Sequence, residues 1–579
     1  MTDNATDDVT DDPARPAPAR RGPLATPGGK WAIRPNLRAR SVLSLAPFLL
    51  AFTGAVAVRW TVILGYPGVL WFTGDSYFYL GHALDPDPSA SKSLGYSFLL
   101  TLLEPAHSLT LVAVLQHLMG LAVAVMVYAL LRRAGLPGWA ATLFTLPILY
   151  DAYQIELEHL LMSEAFFTFL IAAALTLLLW RTPPPDGTGG KGRRGPAWWM
   201  ALAAGLLLGY AVLVRSAGAP LVPVVLLCLL ARRGGLRPAL LFGTAAAVPL
   251  IAYAAWFHGT YGTYALTTSD GLFLWGRTAP FADCAKMRPP SHQRALCLSD
   301  ELRAEGRAPG NLIWRSEAPP RILYEDVTDP ENNEILRDFA VRAILAQPGD
   351  YLRAVGDGLG MAFSPRRFPH PTASTEALYH FPGRPHVFPG GRSWGGEGST
   401  ALSDAMRYER STALSRVVRP HADRLIAYQR AVHLPGPALG LLFAAGAAGI
   451  LAARDRRGVL MAWTCAATLL VFPIASADFD YRYVVPAMPF ACLAAGLALT
   501  RAFPRARPAR TGGDGPEAEA EAADEDEDGD RDGDGDGDGD RDGDGDGDGD
   551  RDEDGEGRVS RRWGTRGSRH RGSDPASAP

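Results

Sequence analysis

Four ionisable residues stand where an apolar chain of this kind has little reason to place them. Asp75 lies in Trp71-Phe-Thr-Gly-Asp-Ser-Tyr-Phe-Tyr-Leu, just past the first apolar block. A carboxylate at that boundary can accept the proton of a hydroxyl nucleophile. The same residue also fits a helix start at Gly74 or Asp75. Arg482 lies in Asp478-Phe-Asp-Tyr-Arg-Tyr-Val-Val-Pro, before the last apolar block. A guanidinium there can make paired, charge-assisted hydrogen bonds to phosphate, helped by Tyr483, or simply anchor the interface against Asp480. Arg215 closes the fifth apolar block and offers a second cation. Glu164 opens the fourth, in Met162-Ser-Glu-Ala-Phe-Phe, as a supporting acidic group. Glu156, Glu158 and His159 precede it at spacings that put Glu156 and His159 on one helical face. A metal there is conceivable, but acidic residues and His in an outside turn are ordinarily solvated.

These residues need a scaffold, and composition says which kind. The chain has 579 residues, 47% of them hydrophobic. Apolar stretches of about 20 residues with basic punctuation recur through the first 510 residues, the length a helix needs to cross a bilayer. An ordinary soluble enzyme and a single-anchor protein are both excluded. The expected architecture is an all-α polytopic membrane protein of about ten transmembrane helices, with a mixed extracytoplasmic loop domain and disordered termini. The spans fall at about 41–59, 109–131, 136–152, 161–180, 197–216, 219–231, 237–257, 436–453, 458–476 and 484–502. The third and sixth are short enough to be tilted or re-entrant.

Arginine placement orients them. Arg38 and Arg40, Arg132 and Arg133, Arg181 with Arg193 and Arg194, Arg232 and Arg233 with Arg237, Arg454 with Arg456 and Arg457, and Arg501 with Arg505 and Arg507 all fall on one side of a ten-span chain. Both termini are therefore expected in the cytoplasm, in a multi-pass cell-membrane protein. Arg59 and Arg215 break the pattern. The domain plan that follows is 1–36 as a disordered cytoplasmic lead, 37–257 as spans one to seven with a catalytic outside loop at 60–108, and 258–435 as an extracytoplasmic domain. Residues 436–503 hold spans eight to ten, and 511–579 a disordered acidic Asp/Gly-repeat cytoplasmic tail. Within 258–435, Asn333 to Leu352 has helical spacing interrupted at Gln347-Pro348. Of five cysteines, Cys284 and Cys297 share this polar segment, where a disulfide is plausible in an oxidising compartment.

The tail repeats Asp-x-Asp-x-Asp-Gly, yet the position where a calcium-binding loop needs Glu is Arg541, Arg551 or Arg561. A solvated polyanion is the better reading. The four lysines beside 53 arginines carry no inference, and no nucleic-acid partner is expected.

Taken together, Gly74-Asp75, Gly95-Tyr96-Ser-Phe-Leu-Leu, the stretch Gln116 to Arg133, Ser163-Glu164 and Arg482-Tyr483-x-x-Pro486 resemble the GT-C glycosyltransferases. The branch with dolichyl-phosphate-mannose protein mannosyltransferases and lipid A aminoarabinose transferases is the most similar. The likeness covers about 41–260 and 430–500. Many members have an Asp-Glu pair where this chain has Asp75-Ser76, and Pro-Pro where it has Ser93-Leu94-Gly95. The resemblance implies transfer of a hexose or pentose from a polyprenyl-phosphate donor to a glycan, lipid or protein acceptor. Asp75 would act as base and Arg482, Arg215 and Tyr483 would hold the lipid phosphate. No cofactor is required, and a divalent metal stays open. A transporter or lipid flippase, or a non-catalytic cell-envelope scaffold, are the alternatives.

Overall fold

The computed structural model describes residues 37–180, 196–231, 236–390, 396, 398–412, 415–453 and 455–503. The lead 1–36, the arginines at 181, 193 and 194, and the acidic tail lie outside them. Each of the ten expected apolar segments is a helix: α1 (Leu37–Gly65), α4 (Leu109–Ala134), α5 (Gly138–Tyr150), α7 (Glu164–Leu179), α8 (Trp198–Val214), α9 (Leu221–Ala231), α10 (Leu236–Tyr261), and three near the end, Gly436–Ala452, Arg456–Ser476 and Val484–Ala498. Between them come α2 (Asp75–Leu84), α3 (Gly95–Leu103) and α6 (Ala152–His159).

Among the described residues, five helices are long and apolar enough to cross a bilayer, and a sixth arises if the pair His421–Ala431 and Gly436–Ala452, bent by 56°, is one span. The other four apolar helices are shorter. At 1.5 Å per residue, the 13 residues of α5 reach about 20 Å, against a hydrocarbon core of about 30 Å. The count of ten full spans thus overstates what helix length alone supports.

Small residues set the packing. Gly205 and Gly209 of α8, four apart, meet the backbone of α10 at Phe242 and Ala246, a spacing that lets two helices approach closely in lipid. Helix ends sort into two rims. On one, the Arg132 guanidinium donates to Ser44 Oγ at 3.2 Å and Arg501 to the Ala452 carbonyl at 3.1 Å. On the other, the Leu434 amide donates to Asp151 Oδ2 at 2.6 Å, and the Leu70 amide to the His159 carbonyl at 2.9 Å. Arg132 and Arg501, two arginines of the positive-side pattern, therefore share the first rim. Asp75, Glu164, Arg215 and Arg482 belong to the second.

The segment 258–435 is helical rather than mixed: among the described residues no strand forms, and the sole bridge joins Leu70 to Leu160. Its Pro- and Gly-rich sequence breaks into short helices started by side-chain caps such as Ser299 and Thr400. The expected helix runs Pro330–Ala346, capped by Asp329, and a second, Pro348–Ala362, starts after the Gln347-Pro348 break. Nor does the segment have one core of its own. Trp275, Leu296, Leu336 and Phe339 form a separate cluster, tied by the Cys284–Cys297 disulfide. Tyr379, Phe381 and Leu425 instead pack with Tyr66, Phe72 and Ile155 over the C-terminal end of α1.

Candidate active site

Asp75 is the first residue of α2, entered through Gly74 at φ 89°, a left-handed turn that suits glycine. The turn delivers the carboxylate to the second rim. There Oδ1 meets Lys92 Nζ, and Oδ2 accepts from Arg482 Nη1 at 2.5 Å. Burial pushes the Asp75 carboxyl up, but Lys92 and Arg482 outweigh it and hold the group below the usual carboxylate range.

Arg482 sits in a single turn, Tyr481–Tyr483, that leads into the last helix. Its Nε lies 3.2 Å from Asp480 Oδ2, so the expected anchor pairing and the contact to Asp75 coexist. Asp480 in turn accepts from Tyr379 Oη at 2.6 Å, and burial raises its carboxyl. The Arg482 guanidinium stands 5.6 Å from the Tyr483 ring centre, and Arg215 stands 6.0 Å from the same ring. Arg215 is ion-paired with Glu164 and donates to Ser163 Oγ at 3.3 Å, while Tyr79 of α2 also reaches Ser163 at 3.1 Å. Asp75, Arg482, Tyr483, Arg215 and Glu164 therefore form one continuous cluster.

The backbone explains why two distant loops meet. The Leu161 amide donates to the Leu70 carbonyl at 2.9 Å, and Ser76 Oγ to the Leu161 carbonyl at 2.9 Å. These bonds clip the stretch ahead of Asp75 to the stretch ahead of Glu164.

Lys92 was not singled out from the sequence. It lies three residues before Gly95, in a short polar stretch where no periodic pattern marks an inward side chain. The expected solvation of the second outside turn is wrong. Glu156, Glu158 and His159 are 1%, 2% and 0% exposed, because α6 is wedged between α1, α4 and the cap formed by Tyr379, Phe381, Ala422 and Leu425. Arg59, an exception to the charge pattern, is explained by a bidentate pair with Glu158. A metal does not fit: both Asp75 oxygens are taken by cations, and among the described residues no group of three His, Cys, Asp or Glu is arranged to hold an ion.

Residues 102–232 match the model of the dolichyl-phosphate-mannose-protein mannosyltransferase family. No curated protein matches the chain. Among solved structures, the oligosaccharyltransferase AglB from Archaeoglobus fulgidus, in complex with an inhibitory peptide and a dolichol-phosphate, is 16% identical over 80% of this chain and 51% of its own, with a TM-score of 0.38. ArnT from Cupriavidus metallidurans, bound to undecaprenyl phosphate, is 13% identical over 79% of this chain and 78% of its own, with a TM-score of 0.29. The chain thus spans about half the length of the archaeal enzyme, and at these values neither protein's chemistry transfers to it. The similarity that holds at the level of sequence is to the dolichyl-phosphate-mannose-protein mannosyltransferases, and residues 102–232 carry it.

Proposed function

We propose that this chain is a membrane glycosyltransferase that moves a hexose or pentose from a polyprenyl-phosphate donor to a hydroxyl of a glycan, lipid or protein acceptor on the outer side of the cell membrane. The acceptor oxygen attacks the anomeric carbon, the carbon–oxygen bond to the lipid phosphate breaks with its electron pair leaving on the phosphate, and Asp75 takes the hydroxyl proton. One displacement inverts the anomeric centre. The observation that carries this reading is the placement of Asp75 between Lys92 and Arg482, with Arg215 one tyrosine ring away.

That placement also suggests an order of events. In the resting site the cations occupy both oxygens of the proposed base, which makes it a poor proton acceptor. A phosphate arriving against Lys92, Arg482 and Arg215 competes for the same donors. As the cations turn to the phosphate they release the carboxylate and become the groups that stabilise the departing charge. The base is thereby freed only when donor is present. Glu164 keeps Arg215 in place and Tyr483 separates the two guanidinium groups. In this reading 60–108 is the catalytic outside loop and the termini lie in the cytoplasm, an orientation that the arginine distribution supports.

The test is direct: the purified full chain is incubated with a panel of radiolabelled polyprenyl-phosphate sugars and cell-envelope acceptors, and covalent product is sought. Stereospecific product that disappears in Asp75→Asn supports the proposal. Uptake of substrate into vesicles with no covalent product would replace it with a transporter.

A further inference from the structure

Behind the candidate active site lies a buried polar chain that the proposed reaction does not use. Glu158 receives four donors: Arg59 Nε at 2.8 Å and a ring nitrogen, Nδ1, of His117 at 2.9 Å on Oε2, with Arg59 Nη2 at 2.9 Å and Gln154 Nε2 at 3.0 Å on Oε1. A carboxylate so surrounded stays ionised. His117 Nε2 faces His159 Nδ1 at 3.1 Å, and His159 Nε2 faces the Tyr66 carbonyl at 2.8 Å. The two ends of this chain, a carboxylate and a carbonyl, can only accept.

Three contacts therefore need three protons. Two neutral imidazoles supply two, one each. Whichever tautomers are chosen, a neutral pair leaves one lone pair facing another across a hydrogen-bond distance inside the protein, where nothing compensates the repulsion. One further proton completes the set. Of the two rings it is His117 that lies directly against the ionised Glu158 carboxylate, which makes it the bearer. The groups facing the pair are Arg59 from α1, Glu158 and Gln154 from α6, and Tyr66 just past α1.

The chain also has a position. Arg59 donates to the Leu149 carbonyl at 2.8 Å, so α1, α4, α5 and α6 all hold it. At its far end the carbonyl of the same His159 accepts the Leu70 amide, the first bond of the clip that joins the two loops of the site. We propose that the His117–His159 pair holds one buried proton beyond neutrality, and that this charged chain is the positioning device that keeps the Asp75 and Glu164 loops in one register. The positioning half rests on the function proposed above; the proton count does not.

The full chain, with histidine labelled by nitrogen-15, is reconstituted in nanodiscs and its ring nitrogens are followed by NMR from pH 6 to pH 9. One imidazolium should persist at pH 8, well above the unperturbed histidine value of about 6.5, and vanish in His117→Asn. Only neutral rings at pH 8 would overturn the proton count, whether or not the chain proves to be an enzyme. For positioning, hydrogen exchange of the Leu70 and Leu161 amides should accelerate at least tenfold in His117→Asn, and kcat should fall tenfold or more with the donor KM unchanged. Unchanged exchange at both amides would overturn the positioning role. Should His117→Asn not fold, the wild-type spectrum still decides the proton, and Gln154→Leu, which removes one donor from Glu158, decides the exchange.

Discussion

Asp75 and Arg482 are 407 positions apart in the chain and joined by a direct ion pair. The pair makes each residue's role depend on the other's, and the first prediction separates them. Asp75→Asn keeps size and one acceptor oxygen but cannot take a proton. Transfer should fall by about 10² to 10⁴, the usual contribution of a general base, while binding of the lipid donor is retained. Steady-state kinetics and donor binding by the same preparation check both halves. Substantial residual transfer would remove Asp75 from the chemistry.

Arg482→Gln removes the cation that Asp75 and Asp480 share. Donor KM should rise and kcat fall together, because the phosphate is held both before and during bond breaking. Lys92→Gln should act in the same direction but less, since Lys92 is about a third exposed and its charge is better screened. Equal binding of donor by wild type and both variants would show that the phosphate lies elsewhere.

The pH dependence follows from the direction of the Asp75 shift. In the free protein the carboxyl is held below the usual range, so the acidic limb of kcat/KM should lie below about pH 3.9, the ordinary aspartate value. When phosphate draws Lys92 and Arg482 away, the carboxyl rises, and the acidic limb of kcat should move to higher pH. For stability the sign is that of a depressed carboxyl: the ion pairs contribute fully above the unfolded value and are lost only as pH falls through the lower folded one. Asp75→Asn should therefore cost stability at pH 7 and cost less as the medium becomes strongly acidic. Coincident limbs for kcat and kcat/KM would argue against release of the base by the donor.

How far this site could be read from sequence is shown by particular residues. Arg215 and Arg59 both break the arginine pattern, and both turn out to be paired with buried carboxylates, Glu164 and Glu158. A charge out of place in an apolar chain is a legible sign, because burying it alone is too costly. The apolar helices were legible for the same reason: hydrocarbon selects long runs. Lys92 was not, since it lies in a short polar stretch where nothing periodic marks which side chain points inward. The burial of Glu156 was hidden as well, because it depends on Tyr379, Phe381 and Leu425 packing against α6, a contact between parts of the chain far apart in sequence. The helical character of 258–435 was obscured by its prolines, four of which (Pro309, Pro319, Pro330 and Pro348) start helices rather than break them.

The Cys284–Cys297 disulfide spans 13 positions in the separate cluster around Trp275. Closing a loop of that size contributes about 3 kcal/mol by restricting the unfolded chain. Replacing both cysteines with serine should lower protection of the Trp275 and Phe339 region in hydrogen exchange by roughly two orders of magnitude, as that energy implies. The amides of Leu70 and Leu161 belong to a different cluster and should exchange as before. If both regions loosened together, the outer segment and the helical body would be one cooperative unit.

The last prediction concerns Gly95, whose importance comes from what it touches. It begins α3, and a Cβ placed on it would collide with the backbone of Leu213 and Val214 at the end of α8. The next residue along α8 is Arg215. Backbone cannot give way as a flexible side chain can, so Gly95→Ala must push the end of α8 aside and carry Arg215 with it. The Tyr210 hydroxyl, which donates to the Gly95 carbonyl at 2.9 Å, ties the two helices and transmits the shift. A displacement of about an ångström at a charge meant for a phosphate is enough to cost on the order of 10²-fold in rate. Gly95→Ala should therefore lower kcat strongly, although the residue can touch neither donor nor acceptor, while Gly68→Ala, at a turn with open space around it but a positive φ of 93°, should cost stability and leave kcat near wild type. Paired measurements of kcat and melting temperature on the two variants distinguish a displaced cation from a general loss of fold: equal losses of both quantities in both variants would mean that the approach of α3 to α8 does not set the position of Arg215.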